Sequence, residues 1–205
     1  MAEPTTLRTL AGLPVGPVSL AESTLIMIDC QNTYTRGVME LEGVQAALDE
    51  AAALLDRARS AGIPIIHIQH DDGEGGLYDI RAELGAIVDR VAPRDGEPVV
   101  VKNYPNSFVE TDLDERLKAG KASNLVIAGF MTHMCCDTTA RQAQERGLNV
   151  IFLTDGTATR NLTLGDRTVG YLDVQAATLA AQADGFARLA DVATVRAVLA
   201  DGMGY

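Results

Sequence analysis

Cysteine, positive charge and long apolar runs are scarce in this 205-residue sequence. Three cysteines, an odd number with no disulfide spacing pattern, point to a reducing compartment. Seventeen basic residues against 28 acidic give a net charge of -11, which argues against a nucleic-acid or anionic-membrane surface and favours solubility. The longest apolar stretch, "LVIAGFM", is far too short to span a bilayer. The first residues, "MAEPTTLRTLAGLPVGPVSL", lack a basic segment followed by an apolar core, so no secretory leader is expected and the expected location is the cytoplasm.

What is present is an ordinary globular composition, 47 % apolar, enough for one domain with a real core. Residues 1–22 read as an irregular Pro- and Gly-bearing arm, and 23–205 as the domain. Short apolar runs read as strands: "STLIMIDC" (23–30), "IPIIHIQH" (63–70), "EPVVVKN" (97–103), "SNLVIAGF" (123–130), "LNVIFLTDG" (148–156) and "FARLAD" (186–191). Helices are expected between them, over 42–62 with Gly62 as C-cap, over 111–120 with Thr111 as N-cap, and over 136–147 and 166–184. A short helical stretch at 79–90 and a terminal helix complete the pattern. Alternating strands and helices, with strands apolar throughout, predict a single-domain three-layer α/β sandwich whose parallel sheet carries helices on both faces.

In such sheets ligands bind beyond the carboxyl ends of the strands. Asp29, His70, Lys102, Cys135 and Asp155 all fall at or just past expected strand ends. Each alone has an ordinary explanation: a turn-capping acid, a solvated lysine, a buried thiol. Together they suit nucleophilic chemistry. A thiolate attacks a carbonyl carbon, a carboxylate takes the thiol proton and passes it to the leaving amine, and an ammonium holds the pair. A helix N-terminus after Cys135 offers N–H groups and a positive dipole end that would favour the thiolate and a developing oxyanion.

"LIMIDCQNTY", "VVVKNYPNSF", "VIAGFMTHMCCDTTARQAQERG" and "VIFLTDGTATR" resemble, in order and spacing, the isochorismatase-like cysteine hydrolases, which include nicotinamidases and N-carbamoylsarcosine amidohydrolases. The resemblance, over about residues 23–190, implies a six-stranded parallel sheet and an Asp29, Lys102 and Cys135 triad. It implies a cis peptide between Phe130 and Met131, with the N–H groups of Met131 and Cys135 forming the oxyanion hole. Gln31 matches the family's "D-x-Q"; with it, Tyr34, His70, Phe108 and His133 are expected to line the substrate pocket. True isochorismatases resemble "AHIGC" here, with glycine at the place of Cys135 and cysteine at that of Cys136; the thiol at Cys135 resembles the amidases, and Cys136 is read as packing.

Nicotinamidases carry an Asp-x-His pair and further histidines after the second strand, where they bind a metal. Here that place reads "HIQHDDGEGG", and His67 and His70 face opposite sides of a strand, so no metal or other cofactor is expected. His70 is equally readable as a core histidine. The implied activity is hydrolysis of a small amide or related C–N bond through a thioester, by a homodimer or homotetramer acting on a small molecule. Two alternatives stay open: vinyl-ether hydrolysis with Asp29 as acid, and a non-enzymatic redox or binding role of the adjacent cysteines, which geometry disfavours.

Overall fold

The computed structural model describes residues 5–15 and 23–201. Six strands form one parallel sheet: β1 (Ser23–Ile28), β2 (Ile65–His70), β3 (Val99–Lys102), β4 (Asn124–Phe130), β5 (Asn149–Ala158) and β8 (Arg188–Ala190). Their spatial order is β3-β2-β1-β4-β5-β8. The order reverses between β1 and β4, which opens a crevice at the carboxyl ends of those two strands.

Helices cover both faces because β1 buries both. Leu25 and Met27 join the core formed with α2 (Val44–Ala61) and α6 (Val192–Asp201), through residues such as Leu48, Leu55 and Val195. Ile26 and Ile28 join the opposite core, with Leu113 and Leu117 of α3 (Leu113–Ala119), Ala140 and Ala143 of α4 (Asp137–Glu145), and Leu179 of α5 (Tyr171–Ala181) packed at its margin. Helix α2 ends at Gly62 in the left-handed conformation, φ 69°, whose N–H bonds back to the last turn. No helix among the described residues is long and apolar enough to cross a membrane.

Four expectations need correction. Residues 79–90 form no regular helix; only a single 3-10 turn, Asp89–Val91, overlaps them. Within the segment the Asp79 carboxylate accepts from Arg81 N, Asn32 donates to Glu83 O, Thr33 to Leu84 O, and Gln31 and Gln69 to Gly85 O, so side-chain bonds stand in for helical ones. Thr111 is not the N-cap of α3: Asp112 holds that place, and the Thr111 hydroxyl donates to Ser107 O at 2.6 Å. Residues 162–169 form an antiparallel hairpin, β6 (Leu162–Leu164) and β7 (Arg167–Val169), so the helix expected from 166 starts at Tyr171. Asp155 lies inside β5, and its carboxylate accepts from Val192 N at 2.9 Å, capping α6 rather than facing the crevice. Of the N-terminal arm, Leu7–Leu10 form the short helix α1, tied to Asp184 through Leu7 N; residues 1–4 and 16–22 lie outside the described residues.

Candidate active site

Three strand ends meet in the crevice. Asp29 directly follows β1 and adopts a left-handed backbone, φ 48°, a conformation that L residues seldom take outside functional sites and tight turns. Beside it, β4 approaches so closely that a Cβ on Gly129, φ 120°, would stand 2.0 Å from Ile28 O. Glycine is required there, and the ladder between β4 and β5 shifts register at the same level. The Phe130–Met131 peptide is cis, and a π turn over Thr132–Cys136 then leads into α4. Lys102 ends β3 and points inward with Val100, in register with His70 at the end of β2.

Lys102 Nζ lies 2.8 Å from Asp29 Oδ2, 3.0 Å from His70 Nδ1 and 3.4 Å from Cys135 Sγ. Asp29, Lys102 and Cys135 are buried; His70 is half-buried. Apart from Lys102 and the Cys135 thiol, the Asp29 carboxylate has no hydrogen-bond partner among the described residues. Burial works against the Lys102 ammonium, but Asp29 and then Cys135 outweigh it and leave its pKa above the ordinary value. Burial, and then the charge of Asp29, push the Cys135 thiol up, against the pull of Lys102. The thiolate that the helix end and Lys102 favour is thus opposed in the resting site by burial and by Asp29. Cys136 is wholly buried in the core, and burial pushes its thiol up.

Asp29, His70 and Cys135 offer ligand atoms within 4.8 Å of one another, a set that could hold a metal ion. All three atoms sit around Lys102 Nζ, so one cation already occupies the centre of the donor set. His67 turns away, pairing with Glu97 at 3.0 Å on the far side of the strand.

The expected pocket residues divide. Tyr34 is buried, its ring edge-on to Phe130 at 5.7 Å and to Tyr78 at 5.6 Å. His133 is half-buried with Nδ1 2.6 Å from Thr159 Oγ1; burial, then Arg160, hold its pKa below the ordinary value. Gln31 is fully buried, and its amide is spent on backbone: it donates to His70 O and Gly85 O and accepts from His70 N. Phe108 lies in the apolar cluster that contains Cys135, with the Arg146 guanidinium 4.5 Å above its ring. The sequence reading missed Tyr78, which stands edge-on to His70 at 4.8 Å. It sits just before the segment taken for a helix, and nothing in its sequence surroundings singles it out.

A family model described as the Isochorismatase domain matches residues 23–187. The chain is 35 % identical over 156 residues to the secreted isochorismatase effector Isc1 of Verticillium dahliae, covering 76 % of this chain and 82 % of that one. It is 33 % identical over 144 residues to a maleamate amidohydrolase of Pseudomonas putida, covering 62 % of this chain and 68 % of that one. A solved isochorismatase structure from Pseudomonas putida superposes with a TM-score of 0.90 at 35 % identity, over 94 % of this chain and 99 % of that one.

Proposed function

The chain belongs to the isochorismatase domain family, and from that premise we propose that it is a cysteine-dependent hydrolase of a small amide or related C–N bond. The observation that carries this reading is the buried Lys102 ammonium, in contact with both the Asp29 carboxylate at 2.8 Å and the Cys135 sulfur at 3.4 Å. Asp29 takes the thiol proton as the Cys135 sulfur bonds to the substrate carbonyl carbon. The backbone N–H groups of Met131 and Cys135 receive the oxyanion. The C–N bond then breaks, and the leaving amine takes the proton from Asp29. Water attacks the thioester with Asp29 again accepting a proton, the acid product departs, and that proton returns to the sulfur. Lys102 stays an ammonium throughout and compensates whichever partner is negative. In this reading Tyr34 and His133 flank the substrate. The amidohydrolase among its relatives supports the choice of bond.

Vinyl-ether hydrolysis with Asp29 as the acid needs no thiol and gives the contact between Lys102 and the Cys135 sulfur no role. A redox role for the cysteine pair would draw Cys136 out of the core. The reading also includes assembly as a homodimer or homotetramer and residence in a reducing compartment, in keeping with three free cysteines. A screen of small amides with ammonia release as readout tests the activity, and iodoacetamide tests the thiol. Turnover lost with label on Cys135 supports the reading; full turnover after labelling moves the vinyl-ether chemistry into its place.

A further inference from the structure

We propose that His70 is a positioning residue of this centre: its Nδ1 accepts the third proton of the Lys102 ammonium and so holds that ammonium against the Cys135 sulfur. An ammonium has three protons and no lone pair. Around Lys102 Nζ stand three acceptors, Asp29 Oδ2 at 2.8 Å, His70 Nδ1 at 3.0 Å and Cys135 Sγ at 3.4 Å. The histidine can only accept here, which assigns the neutral tautomer with its proton on Nε2.

His70 is itself held from several sides. Gln31 bonds both its N–H and its C=O at 2.9 Å, Tyr78 stands edge-on to its ring at 4.8 Å, and the β2–β3 ladder sets it opposite Lys102. Without the imidazole, Lys102 would keep one N–H buried with no acceptor. It would then turn away from the sulfur or lose its proton, and either outcome deprives the Cys135 thiolate of its counter-charge. Protonating His70 has the same effect, since an imidazolium cannot accept and repels Lys102. The other charged groups facing the ring are Asp29 across the centre and Asp72 and Asp71 in the following loop; Tyr78 covers its edge. Burial, then Lys102, hold the His70 pKa below its ordinary value, which keeps the ring neutral near pH 7.

The inference rests on Cys135 as nucleophile, so its test uses a readout that needs no substrate: the rate at which iodoacetamide labels Cys135, followed by peptide mass, in the full-length protein. His70→Phe keeps a ring against Tyr78 but removes the acceptor; His70→Leu serves if the first variant does not fold. His70→Asn places an amide oxygen near the position of Nδ1. The expected result is labelling slowed about tenfold in the Phe or Leu variant, equivalent to about one pKa unit in the thiol, with most of the rate recovered in His70→Asn. The ratio of wild-type to His70→Asn rates should be flat above pH 6.5 and fall at lower pH, as the wild-type imidazole takes up a proton. Equal rates in wild type and Phe variant, or equal loss in Phe and Asn variants, overturn the positioning role while leaving Cys135 labelled. A wild-type Cys135 that takes no label overturns the nucleophile reading, and this role with it.

Discussion

Lys102 and Asp29 form an ion pair at 2.8 Å in which neither side chain is exposed to solvent. Two charges removed from water support each other only while both are present. Lys102→Met should therefore lower stability by about 3 to 5 kcal/mol, because it strands a buried carboxylate. Lys102→Met combined with Asp29→Leu should be more stable than the single lysine variant. Urea unfolding of the two proteins checks this; a double variant weaker than the single would show that the pair is not the dominant interaction. Neither variant should turn over substrate.

Cys135→Ala should abolish hydrolysis, by at least about 10³-fold, whereas Cys136→Ala should keep most of it. Cys136 is fully buried, so its loss should register as destabilisation on the order of 1 kcal/mol. Asp29→Asn should be nearly as inactive as Cys135→Ala, since the thiol proton then has no acceptor. The Asp29→Asn, Cys135→Ala double variant should be little worse than either single, because the residues act as one unit. Steady-state rates on whichever amide the screen finds decide the matter; a Cys135→Ala enzyme near the wild-type rate would falsify the thiol mechanism.

The strand ends were legible in the sequence because a parallel sheet buried on both faces writes each strand as a continuous apolar run. Asp29, Lys102 and Cys135 mark where those runs stop. The segments between were less legible. In 79–90, Asp79 takes the N–H of Arg81, and side chains from other elements take the carbonyls of Glu83, Leu84 and Gly85; apolar periodicity carries no trace of that. The β6–β7 hairpin is short and largely solvent-facing, so neither alternation nor burial marks it, and its second strand, Arg167–Val169, was absorbed into the helix expected from 166. The contact between His70 and Lys102 depends on strand order. Only once β2 is known to lie between β1 and β3 does it become clear that the two residues are cross-strand neighbours.

Gly129→Ala should disable the protein through backbone alone. The new Cβ would meet Ile28 O at 2.0 Å, and φ 120° is itself unfavourable for alanine. Relief requires β1 and β4 to separate at the point where Asp29 and the turn to Cys135 are aligned. A loss of more than about 3 kcal/mol is expected, together with most of the activity. Thermal unfolding and turnover measured on the same preparation test both halves; a fully stable, active variant would mean that the strands do not approach this closely.

More than one copy per particle is expected in solution. The terminal helix does not supply the motive, because Val192 and Val195 of α6 are spent in the monomer core. Helix α5 leaves Leu172 67 % exposed and also exposes Ala176, Ala177 and Ala180, close to the turn that carries Cys135. Light scattering at micromolar concentration that shows only monomer would remove assembly from the functional reading.

Stability should decline in acid through a cluster remote from the catalytic centre. Arg59 holds the Glu97 carboxyl at about 2, below the usual 4.5, with Arg94 N and His67 adding hydrogen bonds. The Arg59 and Glu97 side chains are each only 12 % exposed. The folded pKa is depressed, so the contribution is complete above about pH 4.5 and is lost as pH falls towards 2. Its size is on the order of 3 kcal/mol. His67 acts in the same direction at higher pH. Burial lowers its pKa from 6.5 in spite of Glu97, so the unfolded chain takes up a proton first and stability begins to fall below pH 6.5. Unfolding free energies between pH 7 and pH 3 should therefore show two declines, one from each group. Glu97→Gln should remove the steeper one below pH 4.5 and lower stability at pH 7, where the charged pair is complete. A Glu97→Gln protein whose stability follows the wild-type curve throughout would place the acid-sensitive groups elsewhere.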